Sequence, residues 1–262
     1  DFDSLRNTNI NTRIANDLYL NFAFNEFLAQ ASENANYNFD SLMIPYRAMG
    51  SEIFTEKEVP IKQGNLSRAI RASMAIPFVL DPIKINGEFL YDGGIYNNFP
   101  VDVMRESFDP DIIIGVNVSI KKHQTYPSDA DNLVKEPHVF LFLEKTDTTI
   151  LAANDIYIEP KVFNYNAASF NAIAPIIDSG YVAASKKITE LKKKINRKQT
   201  SAAKEKMRNA FQAKNRKLEF GSIHIEGLQN YQKKYVLKLF SKEGKNYTIE
   251  DIKIGYYYKF IG

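Results

Sequence analysis

Residues 112–118 read Ile-Ile-Ile-Gly-Val-Asn-Val, a strand-length run dominated by β-branched side chains. Such side chains are stiff at χ1 and pack well on a pleated surface. A run without polar alternation reads as a strand covered on both faces, the pattern of a central parallel strand. The rest of the chain is consistent with that reading. Helical spacing marks residues 14–31 (read as a largely buried helix), 66–74, a segment after Pro100, and 172–195. Strand patterns mark 42–48, 53–61 (strand or hairpin), 83–85, 88–91, 139–143 and 156–158, and residues 121–137 read as a polar surface loop. Asn86-Gly87 lies between two of these strands and is a strong two-residue hairpin signal. Alternating strands and helices predict an α/β fold.

The chain has 262 residues, enough for one large domain plus a smaller one. It contains no cysteine, which excludes disulfides, thiolate zinc sites and a cysteine nucleophile. No run approaches the ~20 apolar residues of a membrane-spanning helix. The first residues, Asp1-Phe2-Asp3, do not resemble a signal peptide. No metal or organic cofactor is indicated. The net charge is only +3, but basic residues concentrate at Lys186, Lys187, Lys192, Lys193, Lys194, Arg197 and Lys198. This stretch reads as a solvated helix face or as a contact for an anionic membrane surface. No nucleic-acid-binding module accompanies it.

The chemistry-bearing segment runs from Leu66 to Val101. The apolar strand Phe89-Leu90-Tyr91 ends on Asp92, and Gly93-Gly94 follows at once, so the backbone can turn sharply or admit another strand closely. A carboxylate at the end of a sheet strand is placed for general-base work, and desolvation there tunes its pKa. An aspartate shaping a turn satisfies the same residues.

The longer strings resemble the patatin-like phospholipase family. Arg71-Ala72-Ser73-Met74-Ala75-Ile76-Pro77 is similar to its R-A-S-x-A-x-P segment, and Asp92-Gly93-Gly94 with Asn97, Asn98 and Pro100 to its D-G-G-x-x-x-N-x-P segment. The resemblance extends from about Asn9 to about Leu191. It implies a patatin-like three-layer sandwich and a serine–aspartate dyad without histidine, acting on phospholipid or another fatty-acyl ester. Asp92 would be the dyad base. Gly93, Gly94, Asn97, Asn98 and Ser73 would lie near the site, with Ser73 packing rather than attacking. Arg68 and Arg71 suit structural ion pairs, and His123, His138 and His224 fall in no motif. The family's serine sits on a G-x-S-x-G elbow, and none occurs in this chain; Gly50-Ser51 lacks the second glycine. The resemblance thus implies a sequence that enters the domain after its nucleophile and its glycine-rich oxyanion loop.

Composition shifts after Ile195. Residues 196–217 read as a basic linker or helix, and 218–262 as a strand followed by two helices. Ile223-His224-Ile225-Glu226-Gly227-Leu228 and Gly244-Lys245-Asn246-Tyr247-Thr248-Ile249-Glu250-Asp251 resemble a POTRA module, incomplete here. Tyr256-Tyr257-Tyr258 with Phe260 suits the end of a helix packing on a sheet, or a membrane-interface anchor, with packing the default. The expected architecture is therefore an incomplete patatin-like domain (1–195), a linker, and a POTRA-like start. The parent would be a lipolytic hydrolase of the bacterial outer membrane, facing the cell surface or the periplasm, joined to a barrel and compatible with a homodimer. The alternative from another class is a non-catalytic surface or scaffold module of an assembly or secretion protein.

Overall fold

The computed structural model describes residues 17–77, 79–119, 145–165, 169–225, 228–240 and 246–256. The expected strand at 139–143, the loop at 121–137, His123, His138, Tyr257, Tyr258 and Phe260 lie outside them. The chain divides into two compact units. The first holds residues 1–15, 47–62 and 69–201, and the second 16–46, 63–68 and 202–262.

In the first unit, β1 (Ala48–Glu52), β2 (Lys57–Ile61), β3 (Ile83–Ile85) and β4 (Glu88–Asp92) form one antiparallel sheet in the order β2-β1-β4-β3. Asn86 and Gly87 turn the β3–β4 hairpin at φ of +51° and +94°, the left-handed pair that a tight hairpin requires. Pro60 is tolerated because β2 is an edge strand. Helix α2 (Leu66–Ser73) precedes β3, and the boundary between the units falls within it. After β4 come the single turn α3 (Gly94–Asn97) and helix α4 (Val101–Phe108), with Pro100 immediately before α4. Strands β5 (Ile114–Val116) and β6 (Ile156–Ile158) pair in parallel, and helix α5 (Ile173–Lys194) follows.

Three expectations are corrected. The first strand begins at Ala48, not at residue 42, because the chain first closes a 3₁₀ turn at Phe39–Ser41. The largest sheet among the described residues is antiparallel: short hairpins join β1 to β2 and β3 to β4, and β1 pairs antiparallel with β4; among the described strands only β5–β6 is parallel. Strand β5 is not covered on both faces. Gly115 is buried, but Ile114 and Val116 point to the opposite face of the strand and are exposed. The covered face is packed by Phe99, Val101 and Ile113 with Leu151 and Tyr157. A Cβ at Gly115 would stand 2.3 Å from the Phe99 ring, so this contact demands glycine.

In the second unit, α1 (Leu18–Asn34) is only partly buried. Phe22 is covered, but Tyr19 and Phe27 face solvent. The Tyr256 ring stacks on Phe22 at 4.9 Å, and its hydroxyl donates to the Leu18 carbonyl at 2.9 Å. The side chain of Asn34 donates to the Phe211 carbonyl of α6 (Ser201–Gln212) and to Asn215 Oδ1. The expected tail strand shortens to β7 (Glu219–Phe220). It does not stand alone, because β8 (Tyr247–Thr248) pairs with it antiparallel. Helices α7 (Asn230–Leu239) and α8 (Ile249–Lys253) complete the unit. Thr248 and Asp251 form the capping box that starts α8.

Asp155 is the main polar tie of the first unit. Its carboxylate accepts from Ile113 N at 2.9 Å, Ala152 N at 2.8 Å and Arg105 at 2.7 Å. Burial pushes its pKa up, but these amides and the guanidinium outweigh burial and hold it below the ordinary aspartate value. Asp155→Ala strips the acceptor from two amides and one arginine and is expected to cost about 2–4 kcal/mol in urea unfolding. A carboxylate held low stabilises the fold above its unfolded pKa of about 3.9 and loses that contribution as pH falls through the folded value. The acid side of the stability curve should therefore flatten in Asp155→Asn.

Candidate active site

Asp92 closes β4, between β1 and β3, with Gly50 of β1 opposite it in register. Its own amide donates to the carbonyl of Ala75 at 3.0 Å. The two sequence segments singled out above thus meet through this bond. Ala72 and Ala75 are fully buried, and Ala75 N closes back on Ala72 O at 3.0 Å, so small side chains let the end of α2 seat against the strand end. Ser73 is half-buried at the last position of α2. Arg71 is buried and donates Nη2 to the Asp81 carbonyl at 3.2 Å, a structural bond within the unit. Arg68 is exposed, and Asn65 caps the start of α2 by accepting from the amides of Ser67 and Arg68.

The carboxylate of Asp92 is half-buried, and its Oδ1 accepts from Gly94 N at 2.8 Å. Among the described residues this amide is its one hydrogen-bond donor. Burial raises the pKa of Asp92, and the Gly94 bond only partly opposes that rise. An under-solvated carboxylate with a single donor is a better proton acceptor than an exposed one.

Both glycines are dictated by contact. A Cβ at Gly93 would lie 2.4 Å from Met49 Cβ and 2.6 Å from Met49 O, so the chain after β4 presses directly on β1. A Cβ at Gly94 would crowd Asn98 Oδ1 at 2.9 Å and Asp92 Oδ1 at 3.1 Å. Ser51 beside them is fully buried, and its hydroxyl donates to Gly93 O at 3.4 Å. That position makes it a spacer rather than a nucleophile.

The asparagines divide the work of holding α3. Asn97 donates to Glu58 of β2 at 2.8 Å and to Asp102 of α4 at 3.0 Å. Asn98 donates to Ser119 Oγ at 3.0 Å and Thr146 Oγ1 at 3.1 Å. The backbone of Lys145 brackets the same turn, accepting from Asn98 N and donating to Gly94 O. The sequence reading missed Lys145, Thr146 and Ser119. Their local sequence carries no motif, and the only pointer was an asparagine amide that needed acceptors from elsewhere. His224 is exposed and lies in the other unit.

Residues 7–105 match the patatin-like phospholipase family. The matched patatin-like segment contains Asp92, both glycines, both asparagines and Ser73. It covers less than half of the chain, and it ends short of the expected extent near Leu191. An uncharacterised NTE family protein of Mycobacterium tuberculosis is 36% identical over 80 residues, which are 30% of this chain and 22% of that protein. A probable lipid hydrolase of invertebrate iridescent virus 6 is 38% identical over 52 residues, 20% of this chain and 17% of that protein. The lysophospholipase NTE1 of Cryptococcus neoformans var. neoformans is 33% identical over 79 residues, 30% of this chain and 5% of that protein. The chain thus covers under a quarter of the length of each of these relatives.

Gly93→Ala should force β1 and β4 apart, because the clash is with backbone and not with a flexible side-chain end. A loss of about 1–3 kcal/mol is expected in urea unfolding. Gly180→Ala, where the added methyl meets nothing, is the control and should be near neutral or stabilising.

Proposed function

We propose that this chain supplies the base of a lipid acyl hydrolase that acts through a serine–aspartate pair. The observation that carries the reading is the carboxylate of Asp92. It ends a central strand, is desolvated, has a raised pKa, and is held by one amide in a turn fixed from four directions. The match of residues 7–105 to the patatin-like phospholipase family and the similarity to a probable lipid hydrolase and a lysophospholipase support a fatty-acyl ester as the substrate class.

In this mechanism Asp92 accepts the hydroxyl proton of a serine as that oxygen attacks the ester carbonyl. It returns that proton to the departing alcohol as the ester C–O bond breaks and the acyl-enzyme forms; deprotonated again, it accepts a proton from the water that attacks the acyl-enzyme and gives it back to the serine oxygen as the fatty acid leaves. The serine and the oxyanion donors would come from polypeptide outside this sequence, which contains no G-x-S-x-G. That same absence supports a second reading, a non-catalytic module when the chain stands alone. We further propose that residues 218–262 begin a POTRA-like module of an outer-membrane protein. The sequence resemblance supports this, while β8 between α7 and α8 departs from the strand-helix-helix order that the resemblance implies.

The test uses a polypeptide that joins these residues to an elbow-bearing segment, with a fluorophosphonate probe and a fatty-acyl ester. A labelled serine and turnover are expected. Asp92→Asn should lower kcat by roughly 10²–10⁴-fold with unchanged circular dichroism. Wild-type turnover in Asp92→Asn would reject the base assignment, and absence of labelling in the wild type would favour the scaffold reading. Since the Asp92 pKa is raised, the acid limb of kcat/KM should lie above the ordinary aspartate value of about 3.9. A raised carboxyl pKa favours the fold at low pH and loses that contribution as pH rises through it. Asp92→Asn should therefore not destabilise the protein at neutral pH.

A further inference from the structure

A chain of hydrogen bonds joins the two sheets of the first unit beside Asp92, and it closes on Asn98. It starts where β5 ends. Asn117 N donates to the Ile158 carbonyl at 2.9 Å, so this residue is still pinned to β6. Its side chain donates to the Tyr157 hydroxyl at 3.0 Å and accepts from Ser119 N at 2.9 Å. Ser119 Oγ in turn lies 2.9 Å from Thr146 Oγ1, and both oxygens accept from the Asn98 side-chain amide. Residues far apart in sequence thus converge on one asparagine, which is half-buried together with both hydroxyls.

Asn98 follows the single turn α3, which is too short to hold its own direction. Four residues close too few internal bonds to offset the cost of ordering them. The direction comes from outside. Asn98 N donates to the Lys145 carbonyl and Lys145 N donates to the Gly94 carbonyl, so both ends of the turn hang on one residue. Gly94 N is the donor on Asp92 Oδ1. Asn98 Oδ1 also packs against Gly94, 2.9 Å from where a Cβ would stand, with Asp92 Oδ1 at 3.1 Å from the same point. These ties are uncharged. Lys145 approaches through its backbone, and its ammonium lies 5.1 Å over the Tyr96 ring. A neutral network aims the amide without adding a cation that would weaken the carboxylate as a proton acceptor, as Arg105 does for Asp155.

We infer that Asn98, braced by Ser119 and Thr146, is a positioning residue for Asp92: it aims the Gly94 amide at Oδ1 and leaves Oδ2 to take the serine proton. The inference rests on the reading of Asp92 as the base, and its test has one arm that needs no turnover. The chain has 12 glycines, so labelling them with nitrogen-15 gives a sparse NMR spectrum. The Gly94 amide, identified by its displacement in Asp92→Asn, should resonate downfield. In Asn98→Ala it should move upfield and exchange with solvent roughly tenfold faster or more, while Gly87 and Gly180 stay in place. Thr146→Val, which keeps the side-chain shape, should move Gly94 in the same direction, and it decides this arm if Asn98→Ala also displaces Gly87 and Gly180. In the polypeptide joined to an elbow-bearing segment, Asn98→Ala should lower kcat roughly 10–10²-fold with KM little changed. Adding Ser119→Ala and Thr146→Val to it should cost little more, because the three side chains act as one unit. An unmoved Gly94 resonance overturns the inference. So does wild-type kcat in Asn98→Ala when Asp92→Asn is inactive, and that result leaves the base reading standing. Wild-type turnover in Asp92→Asn rejects the base reading itself and takes this inference with it.

Discussion

The hydrogen bond from the Asp92 amide to the Ala75 carbonyl joins two segments that are otherwise connected through the β3–β4 hairpin. It fixes where β4 ends, and the carboxylate inherits its position from that end. The bond requires small residues at positions 72 and 75, and the turn beyond Asp92 requires Gly93 to lie on the backbone of Met49. These are steric conditions, not chemical ones. They explain why the motif residues around the carboxylate are alanine and glycine: the chain has to pass close to itself on both sides of one acidic residue.

Legibility followed the range of the interactions. The β3–β4 hairpin was readable because Asn86-Gly87 makes its own turn. Helix α4 was readable from Pro100, and α8 from its capping box, because those signals act within four residues. The extent of β1 was misplaced because apolar character at Leu42, Met43 and Ile44 carries no information about where pairing starts; that is set by β2 and β4. The two-sided burial expected of residues 112–118 failed for the same reason. Composition favours a strand, but coverage depends on what packs against each face, and Ile114 and Val116 on one face are exposed.

The strand end at Asp92 and the tight turn at Gly93-Gly94 were legible in the sequence. What holds them was not. Asn98 reaches Ser119 and Thr146, and the Lys145 backbone brackets Gly94 and Asn98, across separations of 21 to 51 residues. Polar side chains at such distances become partners only when the sheet order is known. Asn65 shows the converse. Its side-chain oxygen caps α2 through the amides of Ser67 and Arg68, two and three residues on.

Two aspartates in the first unit carry opposite pKa shifts, and the difference separates structure from chemistry. Asp155 loses water but gains two amides and a guanidinium, so its charge is stabilised and its proton affinity falls. Asp92 loses water and gains a single amide, so its proton affinity rises. A fold that needed Asp92 only as a turn residue could satisfy it as fully as Asp155, or replace it with asparagine and avoid the desolvation altogether. Leaving a carboxylate half-buried with one donor costs stability at neutral pH. That cost is intelligible where a strong proton acceptor is required, and it is the physical reason to read Asp92 as a base and Asp155 as a brace.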